Sequence, residues 1–249
     1  GLPVDLPALT VDHPEVALLP IVSTLKAARI ICKRWKRYDR LPDAIVIEEP
    51  ATAGGHLGVT PNQNIYDEKL RLGVVVPQIR EYLDQNEWDI PLIAAGGIWD
   101  RSDIDRMLEL GASGVQMATR FICTPECEAP LEFKQKHINS TPETIIEVKS
   151  PVGLPLRVIE TKFLERVARG EVHHNCAVNC LRRCSLRDNR NKTEETEENE
   201  YCIVRALSSA LQPEEMEERG VVLTGTNAYR AKEQGIVSVQ QIFDELTAR

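Results

Sequence analysis

Ile90-Pro91-Leu92-Ile93-Ala94-Ala95-Gly96-Gly97-Ile98 runs from an apolar segment straight into paired glycines. The same order occurs earlier, where Ala44 to Ile47 leads into Ala53-Gly54-Gly55-His56-Leu57-Gly58. Both read as junctions at which a buried strand ends and a loop begins. Glycines at such a place let the backbone approach a ligand closely and turn its N–H groups toward an anion. They predict a phosphate-bearing cofactor, with His56 as the nearby side chain suited to proton chemistry.

Around these junctions, from Ala17 to Phe121, short apolar runs alternate with amphipathic stretches, the rhythm of βαβ units and a parallel sheet. Strands are predicted over Ala17–Val22, Ala44–Ile47, Ile90–Ala95 and Gly114–Met117. A helix over about Leu25–Arg37 places Leu25, Ala28, Cys32 and Trp35 on one face, and a second over Val74–Leu83 repeats Val75, Ile79, Tyr82 and Leu83 at helical spacing. A third is capped by Asp100 or Ser102 and stopped at Gly111 in a left-handed turn. Beyond Pro125 the rhythm stops. Residues 126 to 160 read as an irregular connection with strand character at Thr144–Val148. Thr161 caps a short helix ending near Gly170, the polar stretch 185–200 reads as a flexible acidic surface loop, and Ser238–Leu246 reads as a docked terminal helix.

The chain of 249 residues has a formal net charge of −8, which lacks the basic excess that nucleic-acid binding requires. It has no run of eighteen apolar residues, and Gly1-Leu2-Pro3-Val4-Asp5 does not read as a secretory signal, so a cytoplasmic protein without membrane association is expected. The odd count of seven cysteines speaks for reduced thiols or ligands over a disulfide framework. Cys176, Cys180 and Cys184 recur every four residues, Cys202 follows the acidic loop, and His173 and His174 lie close by. These four cysteines are the candidates for zinc or an iron–sulfur cluster. Their spacing is not the usual CxxC ligand pattern, however, and cysteine is commonly a small buried hydrophobe, so no metal is expected. A closed (β/α)₈ barrel needs eight parallel strands, and only four are found before the rhythm breaks.

With the two glycine loops in order, followed by Gly114-Val115-Gln116-Met117-Ala118-Thr119-Arg120-Phe121, the chain resembles the nitronate monooxygenase family of FMN-dependent TIM barrels. The resemblance extends from Gly1-Leu2-Pro3 through Pro20-Ile21-Val22-Ser23 and continues at Tyr201-Cys202-Ile203 and Gly225-Thr226-Asn227-Ala228-Tyr229-Arg230. It implies an α/β fold comprising strands five to eight of a (β/α)₈ barrel in residues 1–125, with a mostly helical C-terminal extension in residues 126–249. On this reading the chain is a fragment, without the flavin contacts of the first strands.

Carried over by residue, the resemblance implies that Gly96 and Gly97 supply backbone amides to the FMN phosphate. Gln116, Met117, Ala118 and Thr119 form the second phosphate-binding segment, with Ala118 standing where the family usually has glycine, and Gln78 reaches the flavin. His56 matches the family's active-site histidine, acting as general base on a neutral nitroalkane or holding the anionic nitronate. The implied partners are a nitronate or nitroalkane and O₂. Two other readings stay open: an NAD(P)H-dependent flavin enoyl-thioester reductase on the same barrel, and a non-catalytic, partner-dependent fragment. Residue by residue, Gly96-Gly97 also reads as a plain tight turn, and Gln78 as an ordinary exposed helix position.

Overall fold

The computed structural model describes residues 2–59, 63–172, 176, 180 and 201–248. In chain order its main elements are α1 (Leu6–Leu9), β1 (Ile21–Val22), α2 (Leu25–Trp35), β2 (Ile45–Glu48), β3 (Gly55–His56), α3 (Leu72–Asp84), β4 (Leu92–Ala95), α4 (Arg101–Glu109), β5 (Gly114–Gln116), α5 (Thr119–Ile122), α6 (Leu131–Ile138), β6 (Ile145–Lys149), β7 (Pro155–Ile159), α7 (Lys162–Ala168), α8 (Ile203–Ser209), α9 (Met216–Arg219), β8 (Val222–Leu223), α10 (Ala231–Gln234) and α11 (Val239–Thr247). The chain divides into two compact units. The first comprises Gly1–Ala53, Asn64–Met117 and Phe243–Arg249, and the second Gly54–Gln63 and Ala118–Ile242. The division falls at 117/118, eight residues before the expected boundary, and it takes the His56 loop into the second unit. No helix among the described residues is long and apolar enough to cross a membrane.

The first unit is an all-parallel sheet in the order β1-β2-β4-β5, with helices between the strands. Alternation decides which strand residues meet those helices. Val22, Ile45, Ile47, Leu92 and Ala94 pack with Ala28, Ile31, Cys32 and Trp35 of α2, with Val75, Val76, Ile79 and Leu83 of α3, and with Met107 of α4. Each large apolar side chain so buried is worth about 1.5–3 kcal/mol. The intervening residues Ile21, Val46 and Ile93 lie on the other face and outside that cluster, and Ile21 is half exposed.

The helices start where the sequence says they should. Thr24 Oγ1 accepts from the Ala27 N–H at 3.1 Å, and Asp100 and Asp103 form a reciprocal capping box at the head of α4. Gly111 stands at φ +98°, the left-handed turn expected of it.

The second unit is organised by an antiparallel sheet. β7 pairs along its whole length with β6, while its other edge is shared between β3, at Gly55↔Arg157 and His56↔Leu156, and β8, at Val158↔Leu223 and Ile159↔Val222. Leu156 and Val158 pack against Phe163, Leu164, Tyr201, Ile203, Ala206 and Val221. This corrects the reading of 126–160 as an irregular connection: the stretch contains α6 and a β6–β7 hairpin. Helices outnumber strands among the described residues of this stretch, and α7 and α8 pack on the sheet built by β6, β7 and β8. Arg157 obscures β7 in the sequence, since a charged residue mid-strand argues against burial. In the structure it is buried, with Nη2 2.6 Å from Glu147 Oε1 on the neighbouring strand. Thr161 caps α7 by accepting from the Leu164 N–H. The proposed loop over 185–200 lies outside the described residues.

Candidate active site

In a parallel sheet the strands' carboxyl ends lie along one edge, where loops can gather around a ligand. The register Glu48↔Ala95↔Gln116 places the ends of β2, β4 and β5 in a row, so Gly96-Gly97 and Gln116-Met117 leave the sheet side by side. Gly96 has φ +100° and Gly97 φ +70°, conformations that glycine adopts without the cost other residues bear. A Cβ on Gly96 would lie 2.9 Å from Thr52 Oγ1, and one on Gly97 would lie 2.9 Å from Thr52 Cβ. The loop after β2 therefore packs directly on this pair. Neither 94–98 nor 114–119 contains an acidic side chain, so both segments chemically fit a phosphate group.

Three features at this edge modify the reading from sequence. Gln116 is exposed and Met117 packs partly into the core. Gln78 lies on the exposed side of α3, two turns from its start. Glu48, absent from the sequence reading, closes β2 half-buried, with no hydrogen-bond or ion-pair partner for its carboxylate among the described residues; burial pushes its pKa up. The neighbouring Glu49 is committed elsewhere. Its carboxylate accepts from Arg71 Nη1 and from the Leu72 N–H at the head of α3, both at 2.8 Å.

His56, Ala118 and Thr119 belong to the second unit. Ala118 is exposed at the head of α5, and Thr119 Oγ1 accepts from the Gly225 N–H at 3.1 Å. That bond ties the 118–119 segment to the loop after β8. Gly54 holds the same loop from the other side, because a Cβ there would lie 2.5 Å from Thr224 C and 2.7 Å from Gly225 N. Its lack of a side chain is what lets the His56 loop pass.

Pairing with Leu156 brings His56 to the start of β7, beside the 150–154 turn that joins β6 to β7. His56 Nε2 lies 2.9 Å from Ser150 Oγ. As a residue His56 is exposed, whereas Ser150 is buried at 1% exposure. Partial burial of the imidazole pushes its pKa below the ordinary value and favours the neutral ring. Ser150 gives no signal in the sequence, since it stands 94 residues from His56 in a turn without a motif.

Among the described residues, no group of histidines, cysteines and acids is arranged to hold a metal. Cys202 is buried at the head of α8, Cys176 is half-buried and Cys180 exposed. Cys184, His173 and His174 lie outside the described residues.

A family model described as nitronate monooxygenase matches residues 2–249. The chain belongs to the nitronate monooxygenase family. Curated relatives include a probable nitronate monooxygenase of Staphylococcus haemolyticus (strain JCSC1435), 34% identical over 129 residues, covering 51% of this chain and 34% of the relative. Another, from Staphylococcus aureus (strain Newman), is 34% identical over 165 residues, covering 61% and 43%. The stretches that match thus cover about a third and about two fifths of those two relatives' lengths. Among solved structures, FabK from Thermotoga maritima superposes with a TM-score of 0.68 at 24% identity, over 99% of this chain and 64% of that one. Nitroalkane oxidase from Streptomyces ansochromogenes does so at 0.64 and 18%, over 97% and 65%. These likenesses establish a common α/β fold with a parallel sheet and helices.

Proposed function

We propose that this chain carries the second half of an FMN-dependent nitronate monooxygenase, which oxidatively denitrifies alkyl nitronates with O₂. On this reading its four parallel strands are strands five to eight of a (β/α)₈ barrel, and the unit built on β6 and β7 is an extension beyond the barrel. The observation that carries the proposal is the side-by-side exit of Gly96-Gly97 and Gln116-Met117 from the carboxyl edge of the sheet, in a chain that matches the family over nearly its whole length.

In this reading Gly96, Gly97 and the segment Gln116, Met117, Ala118 and Thr119 receive the phosphate through main-chain N–H groups. Bound FMN supplies the electron transfer and the reaction with O₂. His56 meets the substrate, and its neutral ring neither repels a neutral substrate nor attracts an anion through net charge. A hydrogen bond is what it offers.

The chain, joined to the first half of the barrel from a curated relative, is titrated with FMN and then assayed for oxygen uptake with a nitronate in the absence of NAD(P)H. Bound, quenched flavin and nitronate-dependent uptake are expected. NAD(P)H consumption without nitronate would shift the assignment to the thioester reductase, and failure to bind FMN would favour a non-catalytic fragment. His56→Ala is expected to keep FMN and to lower turnover by about 10²-fold or more.

A further inference from the structure

The hydroxyl of Ser150 leaves little freedom in its hydrogen bonding. Its oxygen receives the Val152 N–H at 3.2 Å within the β6–β7 turn, and a main-chain N–H can only donate. The other partner of Oγ among the described residues is His56 Nε2 at 2.9 Å. Within the turn the Ser150 N–H donates to Leu154 O at 2.9 Å and the Gly153 N–H to Ser150 O at 2.8 Å. Among the described residues the hydroxyl proton of this buried serine therefore has one hydrogen-bonded acceptor, the imidazole Nε2. Were Nε2 itself protonated, Oγ would receive two donors while its own proton, buried, had no acceptor, the costly state that folded proteins avoid.

We infer that Ser150 is a positioning residue that holds His56 as the Nδ1–H tautomer, so that His56 meets its ligand as a hydrogen-bond donor to an anionic oxygen, such as that of a nitronate, and not as a base toward a neutral nitroalkane. The inference rests on the proposed activity only for the identity of the ligand; the tautomer follows from the Ser150 accounting alone. It separates the two roles the sequence leaves open to this histidine. Nδ1, which has no hydrogen-bond partner among the described residues, already carries a proton in this tautomer and cannot take another without making the ring cationic, which burial of the imidazole opposes. An Nδ1–H opposite a nitronate oxygen instead forms a charge-assisted bond, about twice as strong as one to a neutral group.

The test is a nitrogen-15 spectrum of the full chain labelled at histidine, recorded above the His56 titration, with the signal assigned by its loss in His56→Gln. A protonated Nδ1 and bare Nε2 are expected, with Ser150→Ala releasing the opposite tautomer and Ser150→Thr, which keeps the hydroxyl, restoring the first. A protonated Nε2 in the unaltered chain overturns the inference, as does a tautomer unchanged in Ser150→Ala. If Ser150→Ala fails to fold, the unaltered and Ser150→Thr spectra decide it. In the FMN-loaded protein a nitronate is expected to be consumed in preference to its parent nitroalkane, with the KM for nitronate raised about tenfold by Ser150→Ala. Equal use of the neutral compound overturns the donor role. A chain with the expected tautomer but no turnover of either compound loses the proposed activity and keeps the tautomer assignment.

Discussion

Gly97 is required by what stands against it. Alanine there would combine a φ of +70° with a Cβ 2.9 Å from the Thr52 Cβ, so Gly97→Ala is expected to destabilise by about 1–3 kcal/mol in denaturant unfolding. Adding Thr52→Gly removes the contact but not the backbone strain. The pair should therefore recover part of the loss, a coupling that a double-mutant cycle would measure. Glu48 behaves in the opposite sense. Its folded pKa is raised, so its ionised form is disfavoured in the native state and stability rises as pH falls through the folded value toward the unfolded one. Glu48→Gln is expected to raise the Tm at pH 7 and to flatten stability across the acidic range above the ordinary glutamate pKa. A lower Tm at pH 7 would contradict this account. His56 stands out in the sequence because glycines flank it where a strand ends, whereas Glu48 and Ser150 do not. One is an acid beside a second acid with a different task, and the other acts across a turn whose position only the β6–β7 pairing defines.

Helices announced themselves because their signals are local. Asp100 and Thr161 each cap the element expected of them, as Thr24 caps α2, and each does so by accepting an N–H three residues ahead. β5 is the short, less buried Gly114–Gln116, whereas β2 and β4 are readable from unbroken apolar runs, as buried parallel strands are. β3 and β7 are not, being respectively two residues long and interrupted by Arg157, whose burial depends on Glu147 in a strand ten residues earlier. Glu49 joins elements in a comparable way. Bound to Arg71 and to the Leu72 N–H, it connects the end of β2 to the head of α3, and Glu49→Ala is expected to cost about 1.5–3 kcal/mol and to expose the first turn of α3 to amide exchange. His137 lies between α6 and β8, with Nδ1 3.0 Å from Phe133 O and Nε2 3.3 Å from Leu223 O, and a neutral ring donates to one of these two carbonyls. Desolvation outweighs those two carbonyls and pushes its pKa down, so the neutral ring is the folded form. Its contribution to stability is complete above the ordinary histidine value near pH ~6.5 and is lost as pH falls from there through the lowered folded value. Urea midpoints of the parent should drop across that interval, while those of His137→Gln should change less.

Two separate cores account for how the chain divides, and for why the barrel could be read only in part. One is formed by α2, α3, α4 and the parallel sheet, the other by β7, α7 and α8. The first follows the βα rhythm visible from Ala17 to Phe121. The second depends on antiparallel pairings between segments as far apart as Gly55 and Arg157, which no local pattern encodes. On the sheet face opposite the helices, Ile21 remains half exposed, and among the described residues the four parallel strands end at β1 and β5 with no further partner in this sheet. The tryptophans distinguish the two cores experimentally, because Trp35, Trp88 and Trp99 all lie in the first unit. Phe163 is buried at 1% exposure in the second core, edge-on to the Tyr201 ring at 5.3 Å between centroids. Phe163→Ala should leave a cavity costing about 3–5 kcal/mol there, and Ile31→Ala about 2–5 kcal/mol in the first. Since each cavity removes contacts from one core, Phe163→Ala is expected to lower the far-ultraviolet dichroism midpoint while moving tryptophan fluorescence little, and Ile31→Ala to move the fluorescence midpoint directly. Equal displacement of both signals by Phe163→Ala would mean that the two cores melt as one cooperative body.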